Sequence, residues 1–159
     1  MTGKTHLTAG LVTALALGVN VPQMALIAVG SVLPDMDHAG STLGRMVKPI
    51  SKRIRHRGVT HSLLFFVIIS FISPYLGIGV LTHIILDIFN PKGVELLYPC
   101  KKNLKVPFIS KFIKTNGLIE KLIFIALIIA GVLMLVFYQD LWGYADMFEF
   151  TTLWFPIKF

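Results

Sequence analysis

The sequence predicts an all-α integral membrane protein, a helical bundle with about five transmembrane helices. Of its 159 residues 55% are hydrophobic and only 14% are charged, whereas a soluble domain has about 25% charged residues. The apolar residues occur in long runs, and the mean hydropathy is +0.75. The single cysteine, Cys100, excludes an internal disulfide and a multi-cysteine metal site.

Five apolar segments define the predicted helices: residues 3–19, 22–33, 59–73, 75–89 and 118–138. Only the last has the roughly 20 residues that cross a bilayer comfortably. The first four reach that length only if their polar ends are included, as expected for a site sunk into one membrane surface. A soluble or monotopic protein with these segments as core helices is the alternative. We expect no cleavable signal peptide before the first segment.

The turns between the segments group the first four into two hairpins. GVNVPQ joins the first pair and SPYLG the second, and neither turn is charged. KTHLTAGLV (4–12) and VTHSLLFFV (59–67) both place Thr-His at a helix start, a weak internal echo. We therefore predict a metal-site domain over residues 1–117. Residues 118–159 then form a fifth transmembrane helix and an aromatic tail at the outer interface.

The basic residues set the predicted orientation. Fourteen of the 15 Lys and Arg residues lie at Lys4 and in the stretches 39–58 and 91–121, and Lys158 is the remaining one. Because cytoplasmic loops retain positive charge, we expect the N-terminus in the cytoplasm and the C-terminus outside. The protein is then a multi-pass protein of the inner, or plasma, membrane of a bacterial or archaeal cell.

The basic loops also predict the partners. Phe108, Ile109, Phe112 and Ile113 lie at helical spacing among lysines, which indicates either a short helix lying on anionic lipid headgroups or a plain basic loop. Membrane lipid is therefore the expected partner. The positive-inside bias already explains the net charge of +7, so we expect no nucleic acid, although a scaffold that binds acidic partners stays an alternative.

All five histidines and three aspartates fall at the predicted cytoplasmic ends of the helices. The candidate ligands are His6, Asp35, Asp37, His38, His56, His61, His83 and Asp87. Taken singly, most have an ordinary explanation at a helix end, and His83 and Asp87, one turn apart on one face, can hydrogen bond to each other. Taken together, imidazole nitrogens and carboxylate oxygens are the ligands of Zn²⁺ or Mn²⁺. We expect Zn²⁺ first, with Mn²⁺ as the alternative, and two ions fit this many ligands better than one.

Three motifs carry a resemblance to a known family. GSVLPDMDH (30–38), HRGVTHS (56–62) and HIILDIFNPKGVELLYP (83–99) together resemble the bacterial and archaeal inner-membrane metal-dependent hydrolases, some of which are described as LexA-regulated. The resemblance runs from His6 to about Pro99 and implies metal ligands among the eight residues above. A looser similarity of ligand pattern is to zinc-dependent phospholipase C and related nucleases.

The predicted function is metal-dependent hydrolysis of a phosphoester in a membrane lipid or lipid-linked substrate at the cytoplasmic leaflet. Asp37, if it is not a ligand, is the candidate general base, and Arg57 is the candidate to hold a phosphate with two hydrogen bonds. Asn90 and Glu95 are candidates to support the ligands. The alternative is a non-enzymatic divalent-metal-binding membrane protein with a structural or transport role.

Overall fold

The structure, a computed structural model, describes residues 1–51, 57–100 and 102–137. Within these ranges every regular element is a helix, and one isolated antiparallel bridge joins Val94 to Leu104. The α-helices are α1 (Gly3–Ala16), α2 (Val21–Val32), α3 (Thr42–Met46), α4 (Lys48–Ser51), α5 (Leu63–Ile72), α6 (Pro74–Ile88) and α7 (Leu118–Val136). Short 3₁₀ helices span Leu33–Asp37, Val59–His61 and Ile109–Lys111. The predicted all-α class is confirmed.

The five predicted apolar segments correspond to α1, α2, α5, α6 and α7. The third segment differs at its start, because the 3₁₀ turn Val59–His61 precedes α5. Ser62 is extended there, and its hydroxyl accepts a hydrogen bond from Phe65 N at 3.2 Å, which makes it the N-cap of α5. At the start of α2, Asn20 and Gln23 form a capping box. Local capping thus fixes where two of the short helices begin.

Glycines let α2 lie very close to both neighbouring helices. A Cβ added at Gly30 would lie 2.2 Å from the carbonyl oxygen of Leu76, and one at Gly79 would lie 2.2 Å from that of Ile27. A Cβ at Gly10 would lie 2.5 Å from Ser31 Oγ. Small residues at helix contacts permit such close backbone approach in membrane proteins. The approach brings the end of α2 against the middle of α6, where His83 lies.

The outer surface of the bundle is apolar along α5 and α7. Phe71 of α5 is 84% exposed, and on α7 large exposed side chains recur from Leu118 to Val136. α7, with 19 residues, is the one described helix long and apolar enough to cross a membrane by length and composition, as the sequence predicts. α5 and α6 are apolar but shorter, with 10 and 15 residues.

The polar ends of the helices meet at one end of the bundle. His6 in the first turns of α1 lies beside Asp87 at the end of α6, and Thr5 bonds to Glu120 in the first turn of α7. In the basic loop, the predicted short helix is only the 3₁₀ turn Ile109–Lys111. Phe108 next to it is 80% exposed. The predicted aromatic tail lies outside the described residues.

Candidate metal centre

Two overlapping triads of histidine and carboxylate side chains form the candidate site. One consists of His6, His83 and Asp87, and the other of Asp35, His61 and His83. Within each triad, one ligand atom from every residue lies within 4.8 Å of the others. His83 belongs to both, so it lies at the centre of the site. Five of the eight predicted ligands therefore converge on one place from α1, α6 and two 3₁₀ turns.

His83 is oriented by the backbone of α2. Its Nδ1 lies 2.7 Å from the carbonyl oxygen of Ser31, and a carbonyl only accepts hydrogen bonds. Nδ1 therefore carries the proton and donates it, which in the neutral ring leaves the lone pair on Nε2. The side chain is fully buried. His83 thus points the lone pair of Nε2 into the site in a fixed direction. Metal-binding histidines are held in the same way, through their other ring nitrogen.

His61 is oriented in the same way by a carboxylate and a hydroxyl. Its Nδ1 lies 3.3 Å from Asp37 Oδ2 and 3.1 Å from Thr60 Oγ1, and Thr60 donates its own hydroxyl proton to Asp37 Oδ2. Nδ1 of His61 is therefore the donor in this network. Its Nε2 carries the lone pair and lies 3.1 Å from His83 Nε2. Two lone pairs at this distance repel each other unless a proton or a metal ion lies between them.

His6 lies flat on His83. The ring centroids are 3.7 Å apart and the ring planes differ by 14°. His6 is fully buried, yet neither of its ring nitrogens has a hydrogen-bond partner among the described residues. Its Nε2 lies 3.3 Å from Asp87 Oδ1 without forming a hydrogen bond. A buried imidazole with unsatisfied nitrogens costs free energy, and a metal ion bound to His6 would remove that cost.

The carboxylate of Asp87 contacts two cationic groups and further polar side chains. Its Oδ1 accepts hydrogen bonds from Asn90 Nδ2 and from the Met1 ammonium, the latter at 2.8 Å. Its Oδ2 lies 3.0 Å from Arg57 Nη2 and 3.6 Å from His61 Nε2. The supporting role predicted for Asn90 matches this contact. Glu95 is buried as well, and its backbone N–H donates to the Arg57 carbonyl at 3.4 Å.

Arg57 joins the two carboxylates of the site. Its backbone N–H donates to Asp37 Oδ2 at 2.9 Å, and its guanidinium reaches Asp87. The backbone has φ +65°, a left-handed conformation that non-glycine residues adopt only where the surroundings enforce it. The Arg57 Nε is buried and has no hydrogen-bond partner in the described part of the chain. Arg57 also lines the cavity beside the site.

The two neighbouring aspartates face different surroundings. Asp35 Oδ1 lies 3.9 Å from His83 Nε2, and the side chain is 14% exposed and lines a cavity of about 1100 Å³. Asp37 is fully buried against His61 and belongs to neither triad. Both lie in the 3₁₀ turn Leu33–Asp37. Asp35 is therefore the carboxylate that reaches both the triad and the cavity.

Of the other predicted ligands, one is described by the structure and belongs to neither triad. The side chain of His38 is exposed and stands at the C-cap of the 3₁₀ turn Leu33–Asp37, on the cavity wall. His56 lies outside the described residues. The remaining donor set, imidazole nitrogens with aspartate oxygens in a buried place, fits Zn²⁺ or Mn²⁺, and the unsatisfied nitrogens of His6 are what such an ion would satisfy.

Glu120 is a buried charged residue that the sequence analysis did not single out. It is 2% exposed, accepts a hydrogen bond from Thr5 Oγ1 at 2.9 Å, and also accepts from the backbone of Thr2 and Asn116. It therefore links the first turn of α1, where Thr5 directly precedes His6, to the first turn of α7. An acidic residue inside an apolar segment is costly and marks a pairing or a function. That rule applied to 118–138 would have found it.

Fold and site together define a helical membrane protein with a buried histidine–carboxylate centre. The YdjM inner membrane protein family matches residues 1–145. The chain belongs to this family and is a protein of the inner membrane. The family predicted from the three sequence motifs is confirmed, and so is the predicted location in the inner membrane.

Relatives in two bacteria are similar over most or much of the chain. The Bacillus subtilis (strain 168) protein named Uncharacterized protein YvsG is 35% identical over an alignment 150 residues long, which covers 82% of this chain and 92% of that protein. Inner membrane protein YdjM of Escherichia coli (strain K12) is 33% identical over an alignment 122 residues long, which covers 65% of this chain and 61% of that protein. No solved structure matches the chain significantly.

Proposed function

We propose that the protein is a membrane-bound, metal-dependent hydrolase that cleaves a phosphoester of a membrane lipid or lipid-linked substrate at the cytoplasmic leaflet. The observation that carries the proposal is the facing pair of His61 and His83. Each ring is held through Nδ1, so the two Nε2 atoms point at one place, 3.1 Å apart. Such fixed and convergent donors are expected of a metal site.

The residues of the two triads are the proposed ligands. His6, His83 and Asp87 form one group, and Asp35 and His61 complete the second around the shared His83. The sharing supports one or two ions held close together, with Zn²⁺ favoured and Mn²⁺ as the alternative. A bound divalent ion supplies Lewis-acid chemistry, because it lowers the pKa of water toward about 7 and polarises a phosphoryl oxygen.

The chain itself supplies orientation and charge. Asp37 accepts from Arg57 N, Thr60 and His61, which supports a role in holding His61 rather than in taking a proton from water. Asp35 borders both the triad and the cavity, which supports it as the carboxylate nearest to a reacting group. The guanidinium of Arg57 forms an ion pair with Asp87. It also lies where it can bind a phosphate oxygen of a substrate in the cavity.

The proposed topology has five membrane-crossing helices, with the site at the cytoplasmic end. Three features support it: the apolar outer faces of α5 and α7, the meeting of the polar helix ends, and the lysines at that same end. We also propose that the basic loops contact anionic headgroups. Exposed Phe108 and Phe112 beside Lys111 support that contact.

Reconstituted protein tests the proposed reaction. We expect release of phosphate or a phosphorylated headgroup from mixed lipid vesicles, loss of release with a chelator and recovery with added Zn²⁺ or Mn²⁺. Retained metal without release from any phospholipid, isoprenoid phosphate or simple phosphodiester would overturn the enzymatic function. Movement of the metal into the vesicles in the same preparation would then establish the transport alternative.

A further inference from the structure

We infer that the cavity beside the metal centre is a binding site for an amphiphile with a phosphate headgroup, held by lysines from three segments with its apolar tail between α1 and α7. The cavity has a volume of about 1100 Å³, enough for a headgroup and the first part of a chain. The inference rests on the proposed function and specifies the substrate class of that site.

The polar part of the cavity is strongly basic. Lys4 comes from the start of α1, Lys92 from the loop after α6, and Lys114 and Lys121 from the two sides of the α7 N-terminus. None of these four lysines forms a salt bridge with another described residue. Four ammonium groups outnumber the two carboxylates that line the same cavity, and this excess of positive charge favours a ligand with more than one negative charge.

The two carboxylates on the cavity wall leave a net positive charge there and have other partners. Asp35 belongs to a metal triad. Glu120 accepts hydrogen bonds from Thr5 Oγ1 and from the backbone N–H groups of Thr2 and Asn116. These donors hold the Glu120 carboxylate in place, and it forms no salt bridge with a described lysine. The same bonds tie down the chain next to Lys4 and Lys121, from which two of the cations extend.

An apolar wall begins one helical turn from the lysines. Leu7 on α1 is three residues after Lys4 and is 40% exposed. Phe124 on α7 is three residues after Lys121 and also lines the cavity. One turn of an α-helix rises about 5.4 Å, so the wall lies deeper along both helices than the charges do. A headgroup at the lysines therefore has apolar surface directly beside it for an acyl or isoprenoid chain.

A phosphate satisfies this site better than a carboxylate. A phosphate monoester carries up to two charges and three acceptor oxygens, and lysines bind phosphate as point charges from several directions. Arg57 and Asp35 line the same cavity, so a phosphate seated there lies between the lysines and the metal triads. A lipid headgroup and free phosphate share the phosphate anion, which the lysines bind. Only the lipid also has an apolar tail, so the apolar wall favours the lipid.

Equilibrium binding of a non-cleavable probe tests the inference without turnover. The probe is the phosphonate analogue of dioctanoyl phosphatidic acid, added to the purified full-length protein in detergent. We expect the double variant Lys114→Gln/Lys121→Gln to bind it at least about tenfold more weakly, as lost charged hydrogen bonds require. Lys105→Gln is the matched control, because Lys105 is an exposed lysine of the same loop outside the cavity, and it should bind like the wild type.

Competitors identify the source of the phosphate. Dioctanoyl phosphatidylcholine and inorganic phosphate, each at the concentration of the probe, should leave the probe bound. Full displacement by inorganic phosphate would overturn the inference, because the tail would then contribute nothing. Equal binding by the double variant and the wild type would also overturn it, even if vesicle hydrolysis continued. If no metal supports hydrolysis, but the probe still binds and its binding still depends on the lysines, only the proposed function is overturned.

Discussion

Nε2 of His83 faces Nε2 of His61 at 3.1 Å, although one residue lies in α6 and the other in the 3₁₀ turn before α5. The contact follows from two separate restraints, the Ser31 carbonyl on one ring and the Asp37–Thr60 pair on the other. Neither restraint is made by the partner ring. The surrounding protein therefore holds the two nitrogens face to face, as expected if they bind a metal ion together.

Metal content should depend on His83 and be insensitive to His38. His83→Ala removes the ligand that both triads share, so we expect purified protein to lose its Zn²⁺ or Mn²⁺. His38→Ala is the matched control, because that imidazole is exposed and belongs to neither triad. Elemental analysis measures the metal, and far-ultraviolet circular dichroism checks that both variants stay helical. Equal metal in the two variants would show that the triads are not the site.

Metal affinity and turnover distinguish two roles for Asp37, which are orienting His61 and acting as a general base. If the carboxylate holds His61 through Nδ1, Asp37→Asn should lower metal affinity by about 10–100-fold, as loss of an orienting partner does. A general base would instead leave affinity unchanged and slow turnover by roughly 10²–10⁴-fold. Competition with a fluorescent zinc chelator measures the affinity. Unchanged affinity together with slowed turnover would return Asp37 to the role of base.

The sequence alone predicted much of this site. The helix-end positions of the His and Asp residues followed from the charge pattern, and their meeting in the structure follows from the same hairpin arrangement. What the sequence could not separate is Asp35 from Asp37, because a 3₁₀ turn rather than a continued helix decides where each side chain lies. An acid inside an apolar segment could have drawn attention to Glu120, but its partner Thr5, 115 residues away along the chain, could not be predicted. Contacts of that kind depend on how α7 packs against α1, which no local pattern encodes.

Close contact between α2 and α6 should be sensitive to a single methyl group. In Gly30→Ala the new Cβ would lie 2.2 Å from the Leu76 carbonyl oxygen, a backbone atom that cannot move away alone. We expect a loss of about 1–3 kcal/mol in stability, the usual cost of overpacking, and weaker metal binding as Ser31 shifts from His83. Gly131→Ala is the control, since its Cβ would lie 3.3 Å from one methyl group of Val12. Thermal unfolding in detergent compares them, and equal stability would contradict the close packing.

Arg57 should contribute to substrate binding through its planar fork. Arg57→Lys keeps the positive charge near Asp87 but cannot make two parallel hydrogen bonds to a phosphate. We expect metal content to be retained and KM for the phosphoester to rise about tenfold, with a smaller change in kcat. Lys105→Arg, a substitution of the opposite kind at an exposed loop position, should leave both constants unchanged. A lower kcat with the same KM would assign Arg57 to the transition state instead.

The native cysteine reports the orientation of the site. Cys100 is exposed and follows α6 in the loop that leads to α7, so the proposed topology places it in the cytoplasm. A membrane-impermeant maleimide should therefore label inverted membrane vesicles and leave intact spheroplasts unlabelled. The variant Cys100→Ser/Phe137→Cys moves the thiol to the far end of α7, where Phe137 is 52% exposed, and it should reverse the pattern. Labelling of Cys100 from the outside would place the histidines, the lysines and the cavity at the outer leaflet, and the proposed access from the cytoplasmic leaflet would be wrong.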